Sequence, residues 1–241
     1  GFKLRAVVFS ALLILTGLLN EARAQELVFS NSILESGTAG QDNAVYRFPN
    51  VTTDVDALVT INGRSSSLVK LVAMDLTSTG FDKAFQPQVT FNNNTTPSGI
   101  SDWWMEFAIS FVKHNGTAPV AVTKFDLTAL DIDGNGDKLN EWVNMYGLQS
   151  YSLEASTLLQ YSNVFELVNN VSAITGKDFA GPVTNFTGID TSATVVMATG
   201  HYQNVNSFRV RVGGHSTGST GAADRMYSFW FRNFNYYNPV Q

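Results

Sequence analysis

The chain has 241 residues, a formal charge of −5 at pH 7 and no cysteine. The missing thiols exclude disulfide-stapled folds, thiol catalysis and cysteine-ligated zinc or iron–sulfur centres. An acidic chain with no basic tract is a poor partner for nucleic acid or for an anionic membrane surface.

Read from its start, the chain opens with Lys3 and Arg5, an apolar run from Ala6 to Leu19, and the small-residue site Ala22-Arg23-Ala24. That order predicts a signal peptide over residues 1–24, cut before Gln25. The run is shorter than the roughly 20 residues that span a bilayer, and no later segment is long and apolar enough to cross. The mature chain is therefore expected outside the cytoplasm, secreted or at the cell surface, with no membrane span. Losing three basic residues and one acidic residue takes its net charge from −5 to −7.

From Gln25 onward the pattern is β, and residues 25–241 read as a single domain. Short apolar runs rich in aromatic and β-branched residues alternate with Gly, Asn, Ser and Thr clusters. The strongest run is Trp103 to Val112, where Trp103, Met105, Phe107, Ile109 and Phe111 fall on one face and Trp104, Glu106, Ala108 and Ser110 on the other. Similar runs precede it at Ala44 to Phe48, Ala57 to Ile61, Leu68 to Met74 and Phe85 to Phe91. Others follow at Val120 to Leu130, Trp142 to Tyr146, Tyr151 to Leu158, Thr194 to Ala198, Phe208 to Val212 and Met226 to Phe234. Leu158 to Val168 is the one helix candidate. Gly213 to Gly221 reads as a turn region, and Ser216 to Ala223 as a flexible loop. Ten or more strands with short loops predict an all-β fold, a two-sheet β-sandwich or jelly roll.

Between two of these strands lies DIDGNGDKLNE, residues 131–141. Asp131, Asp133, Asn135 and Asp137 are spaced two apart, and Gly134 and Gly136 allow a tight fold. Calcium takes six to eight oxygens, and its charge offsets the repulsion between clustered carboxylates. The run begins like an EF-hand, but Glu141 falls one place early and the flanks read as strands, not helices. The expectation is a structural calcium ion held by Asp131, Asp133, Asn135 and Asp137, with Glu141 closing the loop from the next strand. The competing reading is an ordinary acidic turn.

Catalytic patterns are weaker. Gly214-His215-Ser216-Thr217-Gly218 matches the nucleophile elbow of hydrolases, but no helix pattern follows it and no histidine lies beyond His215. His114, His201 and His215 show no metal-ligand spacing. Glu106, beside two tryptophans, is the best single candidate for a glycosidase carboxylate, but the preferred reading is an outward-facing polar residue on an amphipathic strand. Trp103, Trp104, Trp142, Trp230, Tyr236 and Tyr237 would form a sugar-stacking platform if exposed, with Trp103 or Trp104 the rings singled out to meet a glycan, and would fill the core if not.

Four stretches together resemble a known module: Tyr46-Arg47-Phe48-Pro49-Asn50-Val51 followed by Asp56-Ala57-Leu58-Val59-Thr60-Ile61, then Phe125 to Gly134, then Arg225-Met226-Tyr227-Ser228-Phe229. They are similar to a β-rich module of secreted, adhesin-like surface proteins of Bacteroidota, a likeness running from about Thr38 to Asn238. The resemblance implies no catalytic residues. The expected function is a non-enzymatic adhesion or structural subunit of the cell surface, stabilised by calcium, which pairs with itself or with other surface proteins. A carbohydrate-binding module is the alternative, and a glycoside hydrolase-like enzyme the second.

Overall fold

The computed structural model describes residues 24–79 and 83–241; the expected signal peptide lies outside the described residues but for Ala24. Strand accounts for 56% of the structure and helix for 5%, and every helical turn is a three-residue 3₁₀ segment. In chain order the strands are β1 (Ile33–Ser36), β2 (Val45–Thr52), β3 (Val55–Arg64), β4 (Lys70–Ala73), β5 (Gln88–Asn92) and β6 (Ile100–Lys113). They continue with β7 (Val122–Leu130), β8 (Leu139–Tyr146), β9 (Ser150–Glu154), β10 (Gln160–Val168) and β11 (Val171–Ala180). Then come β12 (Ala198–Val205), β13 (Ser207–Thr217), β14 (Ala222–Met226), β15 (Ser228–Trp230) and β16 (Pro239–Val240).

Three antiparallel sheets result. The largest has eight strands in the order β1-β2-β3-β6-β13-β8-β11-β10; a second has five, β15-β7-β12-β9-β16; a third has three, β14-β5-β4. The two larger sheets face each other across one core. From the first come Phe107, Phe111, Phe208 and Val143, and from the second Phe125, Leu127, Tyr202 and Leu153. Their rings interlock: Phe125 stacks on Tyr202 at 4.9 Å and meets Phe111 edge-on at 5.6 Å. Alternation in β6 is as the sequence predicts, since Trp103, Met105, Phe107, Ile109 and Phe111 are all buried. The fold is thus all-β with stacked antiparallel sheets.

Three local expectations are corrected. Leu158 to Val168 is not helical, because residues 160–168 form β10. The hairpin turn Asn169-Asn170, with φ of 52° and 64°, binds β10 to β11, and left-handed Asn pairs suit a two-residue hairpin loop. Thr194 to Ala198 is largely a 3₁₀ turn over Thr194–Val196, and the strand starts at Ala198. Gly213 to Thr217 belongs to β13, so the G-x-S-x-G pattern lies in a sheet and not on a strand–helix elbow. Gly213 and Gly214 are needed there because Cβ atoms would collide with the rings of Trp142 and Trp103, at 2.4 and 2.7 Å.

Candidate functional site

The acidic loop folds around protein groups. Gly134 and Gly136 donate their amides to Thr184 and Val183, so the loop packs on residues 181–186, and a Cβ on Gly134 would sit 2.3 Å from the Val183 carbonyl. Asn135 Oδ1 accepts three amides, from Asp137, Lys138 and Leu139, each at 3.0 Å. Asp137 is exposed, 3.8 Å from Lys138 Nζ. Asp133 and Glu141 are buried and share the guanidinium of Arg225 from β14; Arg225 Nη2 donates to Asp133 Oδ1 at 3.1 Å and Nε to Glu141 Oε1. Asp133 Oδ2 also accepts the Phe186 amide at 2.5 Å.

Of the five residues grouped by the sequence, the structure brings Asp131, Asp133 and Glu141 close enough to feel one another. Asn135 and Asp137 turn to other tasks, and no group of three His, Cys, Asp or Glu residues takes a metal-binding arrangement among the described residues. Asp131 keeps a buried Oδ1 with no hydrogen-bond partner. Burial, and then the charge of Asp133, pushes the Asp131 carboxyl up to about 7; burial, against the pull of Arg225, pushes Glu141 up to about 8. Arg225 was not legible from sequence, being 84 residues beyond Glu141.

The outer face of the five-stranded sheet holds an arrangement that sequence spacing missed. His201 on β12 lies between Asp126 on β7 and Ser152 on β9, with Nδ1 2.7 Å from Asp126 Oδ1 and Nε2 2.8 Å from Ser152 Oγ. The order of contacts is that of a serine hydrolase triad. Catalysis also needs amides aimed at the developing oxyanion. Here Ser152 sits in mid-strand, paired with Thr199, while Leu153 pairs with Val240, so this stretch of backbone is committed to sheet ladders. Ser152 itself is buried. The three side chains tie neighbouring strands together.

The outer face of the eight-stranded sheet is built differently. Trp104, Gly213 and Trp142 are cross-strand neighbours on β6, β13 and β8. The small middle residue leaves room for the Trp142 indole, which fills the space above it. One row along, Glu106, Arg211, Asn144 and Asp178 follow one another across β6, β13, β8 and β11. Glu106 accepts from Asn62 at 2.5 Å, from Arg209 at 3.1 Å and from Arg211 at 2.7 Å. Burial would raise its pKa, but the Asn62 hydrogen bond and the charges of Arg209 and Arg211 outweigh that and hold the carboxyl below its ordinary value. Arg211 in turn lies 4.1 Å over the Trp104 ring, and Arg209 4.2 Å over Tyr146. A carboxylate bound this way has no proton to give and no freedom to attack.

Beside this network runs a groove of about 440 Å³ lined by Trp142, Asn144, Asp178, Gln160, Asn140 and the His215–Asp102 pair. Within it Asn144 is 7% exposed and its Oδ1 is buried with no partner. The Asp178 side chain makes no hydrogen bond or ion pair among the described residues, and burial raises its carboxyl to about 6. Of the two stacking candidates, Trp104 is partly exposed on this face. Trp103 points the other way, 1% exposed, with its ring on Phe91 at 5.9 Å.

No protein-family model matches the chain, and comparison with curated proteins gives no match. Among solved structures, the fold is similar to the N-terminal domain of the Streptococcus gordonii adhesin Sgo0707, with a TM-score of 0.54 and 12% identity. The match covers 88% of this chain and 64% of that one, and at that identity the likeness is one of fold.

Proposed function

We propose that this chain is a non-enzymatic adhesion module of the cell surface, and that it meets its ligand on the outer face of the eight-stranded sheet. The observation that carries the reading is the contrast inside that face. Its best catalytic candidate, Glu106, is locked between two arginines and an asparagine, while the adjoining groove keeps Asn144 Oδ1 and the Asp178 carboxyl without partners among the described residues. Such a surface is equipped to hold a ligand and poorly equipped to transform one. The fold likeness to an adhesin domain agrees with this reading. The test is adhesion of the purified chain to cells and matrix-coated surfaces, with Trp104→Ser/Trp142→Ser compared against Gln203→Lys on the opposite sheet. Adhesion lost in the first and kept in the second is expected; equal adhesion in both variants sinks the assignment.

A second reading, structural calcium at the acidic loop, is favoured by the unpartnered Asp131 oxygen and by three carboxylates facing a single guanidinium. A divalent cation would offset the remaining charge. It predicts that EDTA lowers the melting temperature, that added calcium restores it, and that Asp131→Ala abolishes the response. An unchanged melting curve in EDTA removes calcium and leaves Arg225 as the counterion of Asp133 and Glu141.

Self-association rests on the β10–β11 hairpin. Its outer half passes the end of β8 and exposes Phe165 (61%), Leu167 (75%), Val171 (66%) and Ile174 (60%). An exposed edge strand with apolar side chains invites strand addition. A dimer seen by light scattering should become a monomer in Phe165→Lys/Leu167→Lys; a wild-type monomer at high concentration would exclude this mode.

A further inference from the structure

Resting on the adhesion reading, we infer that the groove beside Trp142 binds a neutral glycan, one pyranose ring packed on the indole and its hydroxyls satisfied by Asn144, Asp178 and Gln160. Three features lead to this ligand class. First, the groove is of small-ligand size, since binding sites run from roughly 300 to 1,000 Å³, and this one is about 440 Å³.

Second, its chemistry suits a polyol. The face of an indole is electron-rich, and the C–H face of a pyranose is its natural partner. Around that ring the side chains of Asn140, Asn144 and Gln160 offer both donors and acceptors, and Asp178 offers two acceptor oxygens. Asn144 and Asp178 sit directly opposite each other on β8 and β11, so one sugar can reach both. The buried Oδ1 of Asn144 is an unpaired polar atom that costs stability when left alone. A hydroxyl donating to it would recover that cost, which is where binding energy comes from.

Third, charge selects the sugar. The lining holds two carboxylates, Asp102 and Asp178, and neither lysine nor arginine. Nearby, Arg209 and Arg211 are already engaged by Glu106 and Glu166. An anionic sugar would bring like charge onto Asp178, and the one imidazole in the lining, His215, is already bonded to Asp102. Neutral hexoses and N-acetylhexosamines avoid that penalty, and sialylated or uronate-bearing chains do not.

The experiment uses the whole chain, fluorescently labelled, on an array of neutral oligosaccharides with their sialylated and uronate counterparts. Hits are then titrated by intrinsic tryptophan fluorescence. Wild type should bind neutral glycans. Trp142→Ala and Asp178→Asn should each weaken binding about tenfold or more, the scale of one lost anchor, and Gln203→Ala should leave it unchanged. Asp178→Asn is nearly isosteric, so it keeps the test valid even where Trp142→Ala fails to fold. Absence of any neutral hit, a preference for sialylated chains, or binding indifferent to both groove variants each overturns the inference. Cell adhesion that is lost in Trp142→Ala yet survives enzymatic removal of surface glycans also overturns it, while leaving the adhesion assignment standing. Adhesion indifferent to every groove variant overturns both.

Discussion

On the outer face of the five-stranded sheet, polar side chains find partners within the chain. Thr128 and Thr199 bond each other at 2.8 Å, Thr199 meets Tyr236 Oη at 2.9 Å, and Glu154 accepts the amides of Tyr237 and Asn238. On the outer face of the eight-stranded sheet, Asn144 Oδ1 and Tyr146 Oη are buried without partners, and the Asp178 carboxyl makes no hydrogen bond or ion pair among the described residues. Both faces began with the same problem, since a sheet packed on one side leaves strand side chains to fill the other. The difference is that residues 232–238 run across the first face and nothing among the described residues runs across the second. A face closed by its own chain is structural. A face left open at a stability cost is where an outside partner has something to offer.

The largest expected effect is on the closed face. Removing residues 233–241 takes away β16, the Tyr236 hydroxyl and both amides that Glu154 accepts. The melting temperature should fall by roughly 10 °C, the consequence of losing several strand-pair hydrogen bonds from a domain of this size. Ligand binding on the opposite sheet should survive in whatever fraction stays folded. A truncated protein with unchanged melting would mean that this segment only lies on the surface, and the contrast between the faces would weaken.

Next in size is Glu106→Ala on the open face, which strands Arg211 and leaves Arg209 with Glu166 alone. Breaking a fully buried pair costs about 3–5 kcal/mol. Both arginines keep water contact, so about 2 kcal/mol is expected here, read from denaturant midpoints. If Glu106 worked instead as a hydrolytic carboxylate, Glu106→Gln would abolish turnover of a glycoside substrate at little cost in stability. A third pair of variants compares the histidines. His201→Gln interrupts a bridge between buried Asp126 and buried Ser152 and should cost roughly 1 kcal/mol. His215→Gln breaks a contact with the exposed Asp102 and should cost close to nothing. Equal losses would show that burial of the partners does not govern the two sites.

What the sequence made legible follows physical range. Alternation in Trp103 to Val112 correctly separates Trp103 from Trp104, because a period of two is a local property of extended chain. The same logic finds Val120 to Leu130 and Trp142 to Tyr146 within a residue or a few of β7 and β8. It fails at Leu158 to Val168, where Leu and Glu suggest a helix while the signal that decides lies just outside, in Asn169-Asn170. The acidic loop was readable as an acidic loop, but its counterion was not, since Arg225 arrives through the pairing of β14 with β5. The Asp126–His201–Ser152 bridge, and the neighbours that make a groove beside Trp142, were invisible for the same reason. Each needs the order of strands in a sheet, which puts β13 between β6 and β8 and β12 between β7 and β9, and no local pattern encodes that order.

The last effect expected is on pH dependence, and it probes the open face most directly. Burial raises the Asp178 carboxyl to about 6, and no partner pulls it back. Between the ordinary Asp value near 4 and that raised value, the native state holds a proton the unfolded chain has released. Stability therefore falls as pH rises through this window and stays lower above it. Asp178→Asn carries no such proton. Relative to wild type it should gain stability between about pH 4 and pH 7, by under about 1 kcal/mol because the carboxyl keeps some water contact. Asp56 supplies the opposite case. Burial works against its charge, but the hydrogen bonds from His114, Asn50, Asn115 and Arg47 prevail and hold it well below the ordinary range. Its contribution is present at neutral pH and lost in acid, so Asp56→Asn should lose stability at neutral pH and converge on wild type as the pH falls. Melting curves of the three proteins at several pH values test both signs at once. A wild-type-minus-Asp178→Asn difference that stays flat with pH would show that this carboxyl already has a partner. The open face would then be as self-satisfied as the closed one.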